Sequence, residues 1–400
     1  MKALRNYLDK IKPEFEEGGK LAMFRSVFEG FETFLFVPNT TSKSGVHIHD
    51  CIDSKRTMSM VVLALMPALL FGMYNVGYQH NLAVNADPGF WMTFIFGFLA
   101  VLPKIVVSYL VGLGIEFAVA QVKKEEIQEG FLVSGLLIPM IIPINTPLWM
   151  IAVATAFSVI FAKEVFGGTG YNIFNVALVT RAFLFFAYPT VMSGDQVWVR
   201  TSDVLGIGGG TVVDGFSGAT PLGQIAIASK DMIGSFQSTD VLGNPLTAWD
   251  MFLGLIPGSI GETSVFAILI GAFILIFTGV ASWKIITSVF VGGAFMSAVF
   301  NLIGTTVAMS VTPLDHLFLG GFAFGAVFMA TDPVTAARTE KGKYIYGFLL
   351  GAMAIIIRSL NPGYPEGMML AILFMNAFAP LIDYYVVESN ITRRLKRAVK

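Results

Sequence analysis

Long apolar stretches alternate with short polar segments over most of the chain. The first five stretches lie at about 57–76, 89–122, 130–142, 148–166 and 173–192. Five more follow a polar, glycine-rich segment, at about 262–279, 284–303, 316–331, 344–360 and 367–387. Because a helix needs roughly 20 mainly apolar residues to cross a bilayer, the pattern predicts an all-α, polytopic membrane protein with ten transmembrane helices.

The same pattern divides the chain into five regions. They are a polar N-terminal segment (1–56), a first helical block (57–192), a loop (193–246), a second helical block (247–387) and a basic tail (388–400). In the N-terminal segment, residues 25–36 are predicted to form an amphipathic helix that lies on the membrane surface. Residues 247–257 are apolar but too short to span a bilayer, which indicates a surface-lying or re-entrant segment.

Basic residues set the predicted orientation. Lys55 precedes the first apolar stretch, Lys123 and Lys124 follow the second, and residues 393–397 are mostly basic. Because Lys and Arg concentrate on the cytoplasmic side, both termini are predicted to be cytoplasmic and the loop between the blocks to lie outside. Five passes in each block then give the two blocks opposite orientations, as in the inverted repeats of many transport proteins. Sequence identity between the blocks is slight, so this repeat is inferred mainly from the count.

Composition supports a membrane protein and limits the chemistry. Of 400 residues, 55% are hydrophobic and 13% are charged, whereas about a quarter of the residues in soluble domains are charged. The net charge of −1 gives no indication of nucleic-acid binding. The single cysteine, Cys51, excludes an intrachain disulfide and an iron–sulfur cluster held by four thiolates of this chain. His47 and His49 lie beside it without further ligands at a known spacing, so no structural metal is predicted.

One short motif stands out in the loop between the blocks. Ser217, Gly218 and Ala219 precede Thr220, so a single threonine hydroxyl follows a backbone with almost no side-chain bulk. That arrangement suits an enzyme that must grip the chain and esterify Thr220. The motif resembles the attachment motif of covalently bound flavin mononucleotide (FMN), in which the flavin phosphate is joined to a threonine oxygen. The alternative is an ordinary loop, since small and hydroxyl residues fill turns.

Further motifs extend this resemblance over essentially the whole chain. They are AKEVFGGTG at 162–170, RAFLFFAYP at 181–189, IPGSIGE at 256–262, FMATDP at 328–333 and NPGYPEGMM at 361–369. With them, the chain resembles the B-type subunit of the bacterial sodium-translocating NADH:quinone oxidoreductase. The D-type subunit of the Rnf-type ferredoxin:NAD complex shares the flavin motif and the fold, but the long N-terminal segment favours the quinone-linked enzyme.

The resemblance implies an architecture and a division of labour. It implies a urea-transporter-like inverted repeat in the bacterial inner membrane, within a complex of six subunits whose other members are A, C, D, E and F. Other subunits would oxidise NADH, and this one would pass electrons from FMN on Thr220 through a non-covalent riboflavin to ubiquinone, coupled to Na⁺ export. A standalone inverted-repeat channel or transporter is the alternative from another class; it explains the helices but not the threonine motif.

The resemblance also implies a riboflavin site near the start of the fifth apolar stretch. Asn172 and Asn175 offer amide donors and acceptors that suit the uracil-like edge of a flavin ring, and Gly168 and Gly170 let the backbone approach closely. The alternative is a helix cap, for which Asn is common. Arg181 lies deeper in the same stretch, and an intramembrane arginine is costly unless it is paired. It is assigned to support a reduced flavin, with a purely structural ion pair as the alternative.

The quinone is expected near Gly112, as the resemblance implies. The family often has two adjacent glycines there, but the second position in this chain is Leu113. Glu129 and Phe131 complete the predicted headgroup pocket, with a polar acceptor next to an apolar wall. The alternatives are a charge at a helix start for Glu129 and a lipid-facing ring for Phe131.

Sodium is a hard cation and takes oxygen ligands. Asp332, Asp383 and Glu116 are the predicted sodium or coupling residues among the ionisable groups in or near the apolar stretches. Asp332 precedes Pro333, so a helix is interrupted there and freed carbonyls could join the carboxylate. The alternatives are a cap for Asp332 and a solvated helix end for Asp383. The sequence leaves open whether Glu116 lies inside the membrane or at its surface.

Overall fold

A computed structural model describes residues 2–16, 19–36, 44–46, 54–123 and 130–398. Within these ranges, every regular element is helical, and the only β pairings are two isolated bridges in the loop between the blocks. Glu129 and the segment containing His47, His49 and Cys51 lie outside the described residues.

The N-terminal segment contains a helical hairpin. Helix α1 spans Lys2–Phe15 and α2 spans Arg25–Leu35, which confirms the predicted helix at 25–36. Glu32 is buried between the two helices and is ion-paired with Lys12 at 3.0 Å and with Arg5 at 3.2 Å. This carboxylate therefore ties α2 to α1.

The first block contains five apolar helices. They are α3 (Ser54–Val84), α4 (Phe90–Lys123), α5 (Phe131–Met140), α6 (Leu148–Ser158) and α7 (Val176–Ala187). A π-helical turn (Val159–Lys163) and a 3₁₀ turn (Glu164–Phe166) extend α6, and α8 (Pro189–Met192) follows α7. The loop between the blocks contributes only α9 (Pro221–Ile227) and a 3₁₀ turn (Lys230–Met232).

The second block begins with a short helix, α10 (Ala248–Leu253). It continues with α11 (Val265–Phe277), α12 (Trp283–Ile303), α13 (Val307–Ser310), α14 (Pro313–Phe318), α15 (Phe322–Phe324), a π-helical turn (Gly325–Met329), α16 (Glu340–Leu360) and α17 (Met368–Ala398). Among the described residues, six helical segments are long and apolar enough to cross a membrane: 55–84, 90–123, 148–166, 283–303, 340–360 and 368–398.

Contacts between segments define two ends of the helical bundle. The amide of Val213 donates to the carbonyl of Ala83 at 3.0 Å, so the loop between the blocks covers the end of α3. Asp383 in α17 accepts from the amide of Thr339, immediately before α16, at 3.0 Å. We call the first end the loop end and the second, where α3 begins and α17 finishes, the terminal end.

Glycines let the blocks and their helices approach closely. A Cβ at Gly72 in α3 would lie 1.8 Å from the Ile260 carbonyl oxygen, and one at Gly271 in α11 would lie 2.3 Å from that of Ala64. Small residues allow helix backbones to touch in the same way in membrane bundles. The two blocks are therefore packed backbone to backbone along α3 and α11.

Several predicted spans are shorter than the apolar pattern indicated. Helix α5 ends after Pro139, and α7 begins only after Asn175 because that side chain caps it. The predicted span at 316–331 is broken between α14 and α15, where Gly320 and Gly321 have φ of +63° and +68°. The predicted short segment at 247–257 contains α10 (Ala248–Leu253), whose start is closed by a capping box. The count of ten passes and the likeness to urea transporters stay predictions.

Candidate functional site

The loop between the blocks places Thr220 at the start of α9. Its Oγ1 accepts a hydrogen bond from the Gly223 amide at 3.0 Å. The preceding glycine is required by packing, because a Cβ at Gly218 would lie 2.3 Å from the Asp195 carbonyl oxygen. Ser217 Oγ accepts from the amide of Ala219 at 3.4 Å. The small residues of the motif thus allow the loop to fold tightly around the threonine.

Thr220 lines a cavity of about 450 Å³ at the loop end, which we call the outer cavity. Its wall includes Arg181, Phe185, Tyr364 and Glu366. The Tyr364 and Phe185 rings meet edge to face with centroids 4.5 Å apart. Sites for small molecules commonly occupy roughly 300–1,000 Å³ and have mostly apolar walls with a few polar groups. The outer cavity therefore has the size and the mixed lining of a small-molecule site.

Arg181 is held by two carboxylates of the second block. Its side chain is 2% exposed, Nη1 donates to Glu262 Oε1 at 2.8 Å, and Nη2 is ion-paired with Glu366. Glu262 is also buried. Arg181 is therefore paired, and it lines the outer cavity rather than the cavity of Asn172 and Asn175.

The two carboxylates were missed as site residues. Glu262 and Glu366 occur within motifs that carried the resemblance, yet neither was assigned a role. A signal was present, because a buried arginine in an apolar helix requires acidic partners. Sequence alone offers no means of choosing them, since they lie 81 and 185 residues away from Arg181.

A second cavity, of about 100 Å³, lies toward the terminal end, and we call it the inner cavity. Asn172, Asn175, Asp332 and Lys163 all line it. Its other polar or small lining residues are Thr57, Gly130, Ser134, Thr169 and Thr331. Two predicted riboflavin residues and one predicted sodium residue are therefore brought together in one place.

Asn175 has two roles in this arrangement. Its Oδ1 accepts from the amides of Ala177 at 3.0 Å and Leu178 at 3.3 Å, so it caps α7. Its Nδ2 donates to Asp332 Oδ2 at 3.0 Å. Asp332 Oδ1 in turn accepts from the Val334 amide at 3.0 Å, within the predicted helix interruption. The cap proposed as the alternative for Asn175 is present, and the same side chain lines the inner cavity.

The conformation of the turn just before Asn172 depends on two glycines. Gly168 and Gly170 have φ of +96° and +94°, a region that other residues adopt only with strain. Asn172 Oδ1 accepts from the Gly170 amide at 3.3 Å, and its Nδ2 donates to the Phe174 carbonyl at 3.0 Å. Through these two hydrogen bonds, the Asn172 side chain stabilises the turn that places it at the wall of the inner cavity.

Glu116 lies inside the protein and is 4% exposed. Its Oε1 is ion-paired with Lys163, which is also buried. Its Oε2 has no hydrogen-bond partner among the described residues. Glu116 is therefore buried within the protein, next to a lysine that lines the inner cavity, and its depth in the membrane stays an open prediction.

Two of the three predicted quinone residues touch each other. A Cβ at Gly112 would lie 1.9 Å from Cζ of Phe131. Phe131 is 1% exposed, so the alternative of a lipid-facing ring is wrong. The Tyr109 ring lies edge to face with that of Phe131 at 6.4 Å, and its hydroxyl donates to the Leu132 carbonyl at 2.6 Å. The third residue, Glu129, is outside the described part of the chain.

Asp383 is hydrogen-bonded to the segment that precedes α16 rather than placed at the inner cavity. It accepts from the amides of Arg338 at 2.7 Å and Thr339 at 3.0 Å, and from Thr339 Oγ1 at 2.6 Å. This carboxylate fixes the segment that leads into α16. It is not among the residues that line the inner cavity with Asp332.

Comparison with known proteins agrees with the resemblance drawn from the motifs. The model of the NQR2, RnfD, RnfE family matches residues 41–392. A protein of Ectopseudomonas mendocina, named as the B-type subunit of a Na(+)-translocating NADH-quinone reductase, is 45% identical over 99% of this chain and 100% of its own length. The protein of the same name from Chromohalobacter salexigens is 43% identical over 98% of this chain and 96% of its own length. The chain therefore belongs to the NQR2, RnfD, RnfE family of membrane proteins.

Proposed function

We propose that the chain is the B-type membrane subunit of a sodium-translocating NADH:quinone reductase. In this proposal, it carries electrons from FMN esterified to Thr220 through riboflavin in the inner cavity to ubiquinone, and the transfer is coupled to Na⁺ export. The observation that carries the proposal is a pair of cavities toward opposite ends of one bundle, one at Thr220 and one at Asn172 and Asn175. The names of the relatives supply the sodium and quinone chemistry.

The outer cavity supports the covalent flavin. When bound, the flavin supplies the redox chemistry, and the protein supplies retention and positioning. A phosphoester on Thr220 Oγ1 would replace only the hydroxyl proton, and the contact with the Gly223 amide uses that oxygen as an acceptor. The rings of Phe185 and Tyr364 offer an apolar wall for an aromatic ligand. Arg181 and Glu366 offer polar contacts to its edge.

The inner cavity supports a non-covalent riboflavin through its donor set. Asn175 has one amide hydrogen left after its bond to Asp332, and Asn172 lies beside it. The volume of about 100 Å³ admits the polar edge of a flavin rather than the whole ring. The remainder of the ring would have to lie outside this volume.

The remaining assignments complete the proposal. Gly112, Phe131 and Glu129 would form the quinone pocket, and Asp332 with nearby carbonyl oxygens would bind Na⁺, with Glu116 and Asp383 in coupling. The protein would act with subunits A, C, D, E and F in the bacterial inner membrane, with both termini in the cytoplasm. The contact between Gly112 and Phe131 and the interrupted helix at Asp332 support these assignments.

The decisive experiment is ultraviolet fluorescence of the denatured subunit on a gel. A covalent flavin survives denaturation, so the wild-type band should fluoresce and Thr220→Val should be dark. Thr211→Val, at an exposed position in the same loop, is the matched control and should fluoresce like wild type. A dark band from the natively expressed wild-type protein would refute the flavin assignment and favour a channel or transporter. Because the family model includes Rnf subunits, quinone-dependent rather than NAD⁺-dependent electron acceptance by membranes separates those two enzymes.

A further inference from the structure

Lys163 is a buried cation to which neither the motifs nor the family comparison assigned a role. It ends the π-helical turn Val159–Lys163, and its side chain is 5% exposed. Such turns insert an extra residue in a helix and frequently occur at functional sites. Lys163 lies on the wall of the inner cavity together with Asn172 and Asn175.

The charges around this cavity are few. Lys163 is the only cationic side chain among the described residues that line it, and Asp332 is the only anionic one. Glu116 does not line the cavity but is ion-paired with Lys163 from α4. The other nearby carboxylate, Glu164, is 3.6 Å from the ammonium of Lys123.

We propose that Lys163 is a flavin-positioning residue of the inner cavity, whose ammonium, anchored by Glu116, donates to the polar edge of the ring and favours its reduced form. An ammonium carries three donors, so pairing with Glu116 leaves hydrogens for a ligand. This proposal rests on the proposed function, because it requires a flavin in the inner cavity.

The physical reason for the redox effect is charge. Reduction of a flavin by two electrons with uptake of one proton adds one negative charge to the N1–C2=O edge of the ring. An adjacent cation favours that product, and its anionic partner opposes the effect. The pair formed by Lys163 and Glu116 has no net charge. Removing the lysine leaves a net negative charge and removing the glutamate leaves a net positive one, so the two single substitutions should shift the flavin potential in opposite directions.

The test uses the purified complete complex and three variants. Lys163→Met should lower the two-electron potential of the non-covalent flavin, and Glu116→Gln should raise it. Each shift should correspond to at least a tenfold change in the preference for the reduced form, which is about 30 mV for a two-electron couple. The double variant K163M/E116Q restores zero net charge and should return the potential close to that of wild type.

Controls separate a lost flavin from a lost fold. Fluorescence of the covalent flavin on Thr220 reports the amount of assembled subunit. The ratio of acid-released riboflavin to covalent flavin reports the occupancy of the inner cavity. Lys163→Arg keeps the charge and should keep the potential. Lys123→Met removes a partly exposed lysine outside the cavity and should change neither quantity. If Lys163→Met does not assemble, Glu116→Gln and Lys163→Arg still decide the question.

The outcomes are distinguishable. Opposite shifts in the single variants, with cancellation in the double variant, would support the role of Lys163. Unchanged potentials, or loss of flavin from both single variants with full recovery in the double variant, would reduce the pair to a structural contact and overturn the inference. Absence of acid-released flavin from the wild-type complex would instead refute the inner site of the proposed function.

Discussion

The cluster of Arg181 with Glu262 and Glu366 gives a quantitative prediction. Arg181→Leu leaves two carboxylates without their cation, and Glu262 is almost wholly buried. Breaking one buried ion pair by removing a partner costs about 3–5 kcal/mol. Since this arginine also joins α7 to the second block, we expect its loss to weaken the contact between the two blocks and to lower the stability of the protein by about this amount.

The three members of the cluster should differ in a defined order. Glu366→Gln leaves the pair of Arg181 and Glu262 intact, and the Glu366 side chain is 14% exposed. It should therefore cost only about 1.5–3 kcal/mol, the value of a hydrogen bond to a charged group. Glu262→Gln removes the more buried carboxylate, so its cost in stability should lie between the costs of Glu366→Gln and Arg181→Leu.

The assay is the half-life of quinone reductase activity of the solubilised complex at a fixed temperature. Large assemblies commonly unfold irreversibly, so their stability is measured as a rate. A change of about 1.36 kcal/mol in an activation free energy corresponds to a factor of ten in a rate. Even if only part of the lost stability lowers the barrier to unfolding, Arg181→Leu should shorten the half-life by at least about tenfold. Arg338→Leu, at an exposed position, is the control and should remain near wild type. A half-life of Arg181→Leu within twofold of this control would refute the argument.

Three further substitutions test the other sites. Gly112→Ala would place a Cβ 1.9 Å from the Phe131 ring, so the KM for ubiquinone should rise several-fold, whereas Gly114→Ala meets nothing within 4 Å and should leave KM unchanged. Gly218→Ala would place a Cβ 2.3 Å from a backbone carbonyl, so covalent flavin fluorescence per subunit should fall by more than half; wild-type fluorescence would contradict the need for this glycine. Asp332→Ala should weaken the sodium dependence of quinone reduction, and unchanged dependence would remove Asp332 from the sodium site.

Much of the helical fold could be predicted because apolar length is a local property. The bounds of α4 and α12 differ from the predicted stretches by at most one residue at each end. The prediction was poorest for 316–331, where hydropathy continues through the glycine pair at 320–321 but the backbone does not remain helical. Hydropathy sums over side chains and therefore does not register a change in backbone conformation.

The candidate sites could be predicted only in part. Residues close in sequence, such as Asn172 and Asn175, line one cavity. Arg181 was grouped with them because it is near in sequence, but six residues of helix carry it about 9 Å along the axis. The partners of charged side chains, such as Lys163 for Glu116, come from other helices and are specified by tertiary packing alone.

Helix α7 connects the two candidate flavin sites mechanically. Asn175 at its start lines the inner cavity, and Arg181 in its middle lines the outer cavity. Each residue is bonded to the second block, Asn175 through Asp332 and Arg181 through its two carboxylates. A displacement of α7 relative to the second block would therefore strain the polar contacts of both cavities at once. If the proposed flavins occupy these cavities, a change of charge at either one acts on the same helix, which gives the protein a short physical route from electron transfer to the carboxylate of Asp332.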